Sequence, residues 1–311
     1  MNMHWVALSG NAEIDKNSIT FSPHSTLASV TLPGGRVPTP FCVLRSNVLF
    51  EQGTISLKVK VADSNARCQI ALPLSAPNSA GQVPNYANQV YAGLNSIGTA
   101  YGYSIFRNGS WEAGDGTGDG TRVPVGEWIH LQLQIQGSNL MLYVNEVLVA
   151  SAVLPLQKGP IDLLLQSVAP VEVADVKVDA APPICFVVMQ FTDEFNSLYK
   201  EVISPTCEAY GYKVVRADDF YTSGLIISDV TNSIKEASIV IADITPDNPN
   251  VFYEVGYAHA IDKPTILLSD RQRERLPFDV AGFRTLFYDN TIAGKSAVEE
   301  RLRKHLDNIA A

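Results

Sequence analysis

The stretch Ile241-Ala242-Asp243-Ile244-Thr245-Pro246-Asp247-Asn248-Pro249-Asn250-Val251-Phe252-Tyr253-Glu254-Val255-Gly256-Tyr257-Ala258-His259-Ala260 decides the reading of the C-terminal half. An apolar run ends at Asp243 and a polar loop follows. Asn248 suits a helix N-cap, and Pro249 suits the first helical position, where its missing N–H costs nothing. Val251, Val255, Ala258 and Ile261 form a buried stripe. Glu254 lies off the centre of that stripe, within two turns of the helix start. Asn250 sits one turn below it, and Tyr257 and Ala258 one turn above. The loop leaves the carboxyl end of a strand, which is where open α/β sheets bind ligands. A carboxylate there, between helix-start amides and aromatic rings, is a candidate catalytic group. The plain alternative is a solvated glutamate on a helix surface, and position alone does not separate the two.

Outward from this stretch, strand-like and helix-like segments alternate, which indicates a parallel sheet. Strands are expected at 185–189, 212–215, 238–242, 265–268 and 284–288. The first is continuously apolar, as a central parallel strand should be. A helix follows Asp193 with Phe195, Leu198, Val202 and Ile203 on one stripe, and Pro205 is expected to kink it or tighten its late turn. A second helix spans about 225–237, a third begins near Pro249, and a last one carries Val298, Leu302, Leu306 and Ile309. Five strands joined by right-handed crossovers fit a flavodoxin-like order, 2-1-3-4-5.

The first half has another rhythm. Residues 52–61, 128–136 and 140–149 alternate with a period of two, and clusters such as Pro33-Gly34-Gly35 and Gly137-Ser138-Asn139 separate the runs. This pattern indicates an all-β antiparallel jelly-roll sandwich. The chain is therefore read as multidomain, with a sandwich over 1–179, a short Pro-containing linker over 180–183, and an α/β domain over 184–311.

Composition limits the function. A chain of 311 residues carrying a net charge of −9 is not suited to nucleic acid, since phosphate binding needs a basic face. No apolar run is long enough for a membrane span, and the N-terminus lacks the marks of a secretory signal. Cys42, Cys68, Cys185 and Cys207 are scattered without metal-ligand spacing, so reduced thiols in a cytoplasmic protein, and no metal, are expected.

The C-terminal motif resembles the TIR-like and nucleoside 2-deoxyribosyltransferase-like group, especially the TIR domains of bacterial antiphage effectors. The likeness rests on Ala-Asp-Ile-Thr at 242–245, Asn-Pro-Asn-Val at 248–251 and Tyr-Glu-Val-Gly-Tyr-Ala-His at 253–259. Other pieces agree in order: Phe186-Val187-Val188-Met189-Gln190-Phe191, Arg216-Ala217-Asp218, and Leu276-Pro277-Phe278-Asp279 before Arg284. Gln190 departs from the group, whose members often have proline there.

The resemblance implies that Glu254 is catalytic. TIR enzymes break the nicotinamide–ribose bond of NAD, and deoxyribosyltransferases break the bond between base and deoxyribose. Both reactions build positive charge at C1′, which a carboxylate can stabilise or trap as an ester. NAD would be the substrate and no cofactor is implied. Gln190, Phe191, Arg216, Asp218, Asp243, Asn250 and Tyr257 are the candidate substrate-binding residues. Among them Arg216 is a phosphate or ribose holder or else a surface cation. Asp243 bonds ribose hydroxyls or caps the following turn, and Phe191 and Tyr257 flank nicotinamide or simply pack in the core. The group also completes its sites between neighbouring domains through the loop after strand two. That implies self-association through residues 217–224, where Phe220 and Tyr221 lie, and an unidentified activating ligand or protein at the sandwich. The alternatives are a deoxyribosyltransferase-like enzyme and a non-enzymatic signalling scaffold.

Three features are set aside. Gly294-Lys295-Ser296 lacks the first glycine of a phosphate loop, and Ser296 reads as a helix cap. The glycine- and aspartate-rich run 114–121 is a mobile hairpin loop rather than a calcium loop. His259, five residues beyond Glu254, points elsewhere on the helix and is structural. The first half resembles concanavalin A-like or laminin G-like sandwiches through Phe50-Glu51-Gln52-Gly53-Thr54-Ile55, Gly126-Glu127-Trp128-Ile129-His130-Leu131 and Leu142-Tyr143-Val144-Asn145. Trp5, Trp111 and Tyr101 either line a pocket there or pack in its core.

Overall fold

A computed structural model describes residues 3–23, 39–75, 88–216, 226–273 and 276–310. The chain divides into two compact units, and along the sequence the division falls between Ala181 and Pro182.

The first unit is a sandwich of two seven-stranded antiparallel sheets. One sheet runs β1 (Trp5–Ser9), β4 (Phe41–Phe50), β13 (Gly159–Gln166), β6 (Arg67–Pro73), β7 (Asn88–Ser96), β8 (Thr99–Arg107), β9 (Ser110–Thr117). The other runs β12 (Val147–Val153), β11 (Asn139–Val144), β10 (Trp128–Gln136), β5 (Gly53–Val61), β14 (Val171–Ala180), β3 (Ser18–Phe21), β2 (Glu13–Ile14). Alternation drives the packing. Strand β10 buries Ile129, Leu131, Leu133 and Ile135, and its neighbour β5 buries Ile55, Leu57, Val59 and Val61, all in one core.

The run 140–149 is not one strand but a hairpin, because Asn145 (φ 48°) and Glu146 (φ 68°) both turn left-handed. Asn145 also accepts the His130 backbone N–H through Oδ1 at 2.8 Å. The run from Gly114 is not wholly loop, since β9 continues to Thr117. Its glycines let strands close up: a Cβ on Gly114 would lie 2.2 Å from the Tyr103 ring, and one on Gly116 2.4 Å from the Tyr101 carbonyl oxygen. Strand β14 runs to Ala180, pairing Asp179 with Thr54. Trp5 and Tyr101 pack on the core, whereas Trp111 is 44% exposed beside Tyr91 and Phe106. The Pro33-Gly34-Gly35 cluster lies outside the described residues.

In the second unit five parallel strands run in the order β16 (Lys213–Arg216), β15 (Ile184–Val188), β17 (Ile239–Asp243), β18 (Thr265–Asp270), β19 (Thr285–Tyr288). This is the 2-1-3-4-5 order expected from the alternation of elements. The unbroken apolar strands divide their residues between two layers. Cys185, Val187, Ile239 and Ile241 face α1 (Asp193–Leu198), α2 (Ser204–Ala209) and α6 (Ile292–Ala310). Phe186, Val188, Val240 and Ala242 face α3 (Ile226–Glu236) and α4 (Pro249–Ala260). A short α5 (Phe278–Ala281) precedes β19. All four cysteines are free and buried.

The helix expected after Asp193 contains a π turn, Tyr199–Ile203, between α1 and α2. Pro205 sits in the first turn of α2. Its ring would press on the carbonyl four residues earlier in a regular helix, and the widened turn just ahead makes room. Ser296 is not a cap: α6 begins before it, and Thr291 caps instead by accepting the Gly294 N–H through Oγ1 at 3.0 Å.

Candidate active site

The site is built on the carboxyl edge of the sheet. Asn248 caps α4 by accepting the Asn250 N–H at 3.0 Å, and Pro249 follows at the first helical position. Val251, Val255 and Ala258 anchor the helix on the sheet. That face fixes the rotation of α4 and leaves Glu254 half-buried rather than solvated. Burial raises its carboxyl to about 7. The carboxyl therefore keeps its proton to higher pH than an ordinary surface glutamate does.

The end of β17 carries a second carboxyl. Asp243 is fully buried; its Oδ1 accepts the Thr245 N–H at 2.9 Å and its Oδ2 accepts the Tyr288 hydroxyl at 2.7 Å. Burial pushes Asp243 up to about 6, against the hydrogen bonds from Thr245 and Tyr288, which pull it down. Burial first, and then the charge of Asp243, hold the Tyr288 hydroxyl well above its ordinary range. Of the two roles open to Asp243 in the sequence, the structure shows the turn cap.

Arg216 ends β16 as expected, but it is not a surface cation. It is 6% exposed. Its Nη1 donates to Asn196 Oδ1 at 2.8 Å, and its guanidinium carbon lies 4.4 Å from the Tyr199 ring centroid and 5.2 Å from that of Phe191. Phe191 is itself 50% exposed, so the cation backs an aromatic ring that faces solvent. Among the remaining candidates, Gln190 is half-buried, Tyr257 is half-buried against the α3–α4 layer, and Asn250 is exposed. Asp218 and the loop with Phe220 and Tyr221 lie outside the described residues. His259 stacks on Phe283 at 4.0 Å, a packing role.

Sequence reasoning missed Tyr288, Arg273, Asn196 and Tyr199, whose partners come from distant segments that no local spacing announces. A cleft on the α1–α6 side is lined by Glu194, Leu198, Tyr288, Asn290 and Lys295, and Glu254 is not among its walls. Among the described residues, no group of three or more His, Cys, Asp or Glu side chains could hold a metal, and no helix is long and apolar enough to cross a membrane.

No known family matches the sequence, and no curated protein matches it. Among solved structures the chain is similar to the carbohydrate-binding module CBM66 from Bacillus subtilis, at 15% identity and a TM-score of 0.40, over 55% of this chain and 92% of the module. It is also similar to a prokaryotic β-1,3-1,4-glucanase (lichenase) derived from a mouse hindgut metagenome, at 12% identity and a TM-score of 0.37, over 56% of this chain and 91% of the enzyme. A Bacillus licheniformis β-glucanase follows at 13% identity and a TM-score of 0.35, over 55% and 88%. At these identities and TM-scores the likeness says nothing about activity.

Proposed function

We propose that the α/β domain cleaves the nicotinamide–ribose bond of NAD, with Glu254 as the catalytic group and the sandwich as the part that responds to an activator. The supporting observation is the placement of Glu254. It is a half-buried carboxyl near the start of a helix that leaves the carboxyl end of the central strand β17, and its proton affinity is tuned by burial to about 7. Bond breaking leaves positive charge at C1′ of the ribose. An ionised carboxylate beside C1′ stabilises that charge most where water is thin. Nicotinamide leaves as a neutral molecule from a cationic ring, so it needs no proton. Water then adds at C1′, giving ADP-ribose and a released proton, and an internal hydroxyl in its place gives a cyclised product. The solvent-facing ring of Phe191, braced by Arg216, is suited to stack on the departing ring. The proposal extends to a role in bacterial antiphage defence, with assembly of the chain as the switch.

A second reading rests on the same carboxyl. At about 7, Glu254 is partly protonated at neutral pH and could give a proton to a neutral nucleobase, as deoxyribosyl transfer requires. One experiment separates these readings. The purified full chain is incubated, dilute and concentrated, with NAD and separately with deoxynucleosides plus a free base, and products are resolved by chromatography. Nicotinamide release supports the NAD reading, and base exchange supports the transferase. Inertness toward both at every concentration contradicts both and leaves the scaffold.

A further inference from the structure

The segment at residues 244–248, which joins β17 to α4, is tied from three separate elements. From β17 itself, Asp243 holds the Thr245 N–H at 2.9 Å. From β18, the Leu268 carbonyl takes the Ile244 N–H at 2.9 Å, and the Asp270 N–H donates to Thr245 Oγ1 at 2.9 Å. From β19, the Tyr288 hydroxyl donates to Asp243 and lies 3.3 Å from Thr245 Oγ1. Arg273, just beyond β18, adds a fork. Its Nη1 donates to the carbonyls of Ile244 and Thr245, the latter at 2.6 Å, and its Nη2 donates to Asp247. Its guanidinium carbon also lies 5.7 Å from the ring centroid of Phe252, in the first turns of α4. The Arg273 side chain is only 8% exposed, whereas a loop-borne arginine bound to one exposed aspartate would ordinarily lie in water.

We infer that Arg273 and Tyr288 are positioning residues, which clamp residues 244–248 and thereby fix the start of α4 and the place of Glu254. The inference rests on the catalytic reading of Glu254. Its physical logic is that a short loop without such ties would let the first turn of α4 shift by an ångström or so. A misplacement of that size costs on the order of a hundredfold in rate. The fork geometry explains the choice of arginine. One guanidinium reaches two carbonyls and a carboxylate in fixed directions, and a lysine ammonium cannot reproduce that set. The hydroxyl of Tyr288 is needed for a comparable reason: without it the fully buried Oδ2 of Asp243 loses its donor.

The test uses the full chain with Tyr288→Phe and Arg273→Lys, so that failure of one variant to fold leaves the other. Backbone amide hydrogen exchange and NAD kinetics are measured on each. The clamp predicts that exchange at Thr245, Asn250 and Phe252 speeds about tenfold or more while amides within α6 keep their rates. It also predicts that kcat falls about tenfold or more while KM stays within about twofold. Exchange that rises evenly over the domain, or not at all, overturns the clamp. Local loosening with an unchanged kcat overturns the link to Glu254. If the wild-type chain leaves NAD intact, the catalytic reading fails separately, and the exchange pattern alone then decides whether the segment is clamped.

Discussion

Half-burial of Glu254 weakens the fold wherever its carboxyl is ionised. Its carboxyl titrates near 7 because burial penalises the charged form. The proposed reaction needs the ionised form, so kcat/KM for NAD should fall as pH drops below about 7, tenfold per pH unit at the acid extreme; a profile flat between pH 5 and 8 would contradict the assignment. The sign for stability runs the other way. A carboxyl whose folded pKa is raised destabilises the fold above that pKa, and the penalty disappears below its ordinary value near 4.5. Glu254→Gln should therefore melt higher than wild type at pH 8, with the gap narrowing toward pH 4.5; thermal melts at the two pH values read this directly. The place of Glu254 on α4 is legible in the sequence because cap, proline and apolar stripe are all local. Asp243 and Arg216 were legible only as positions. Nothing near Arg216 in the chain indicates that the rings of Phe191 and Tyr199 enclose it, because those contacts cross from β16 to the segment after β15.

At the scale of elements, the strands were readable wherever one pattern ruled them. The period-two runs 52–61 and 128–136 of the sandwich and the apolar runs of the parallel sheet fall in place within a residue or two. Reading failed where backbone geometry, rather than hydrophobicity, sets the course. The turn at Asn145–Glu146 carries no glycine, and the π turn before Pro205 leaves the apolar stripe intact, so neither interrupts its pattern. The entry to α6 is another such place. A Cβ on Gly294 would lie 1.8 Å from the Asp289 carbonyl oxygen, a backbone atom that cannot swing away. Gly294→Ala should thus destabilise the domain by about 1–3 kcal/mol, because the first turn of α6 must move off the Thr291 cap. Denaturant unfolding measures this, and a change within ±0.5 kcal/mol, typical of neutral surface sites, would show that the turn adapts freely. In the sandwich, Asp162 is 2% exposed and takes Arg45 at 2.6 and 2.7 Å and Gln89 at 3.0 Å. Asp162→Ala leaves that arginine without its carboxylate and should cost about 3 kcal/mol in the same assay.

At the scale of the whole molecule, two units of different architecture meet in the sequence at Pro182-Pro183. An enzyme that consumed NAD without restraint would poison its own cell, so a gate is expected, and assembly or a ligand of the sandwich can supply it. Specific activity should rise with protein concentration or with a bound activator; equal activity per molecule across a hundredfold dilution, in a protein shown to be monomeric throughout, would remove the gate from the account. The central claim, however, is the carboxylate. Its most direct test is nicotinamide release from NAD by the wild-type chain and by Glu254→Gln at the same concentration and pH 8, with melting curves showing both folded. The account predicts release by wild type and none measurable by Glu254→Gln. Substantial release by the folded Glu254→Gln protein would contradict it.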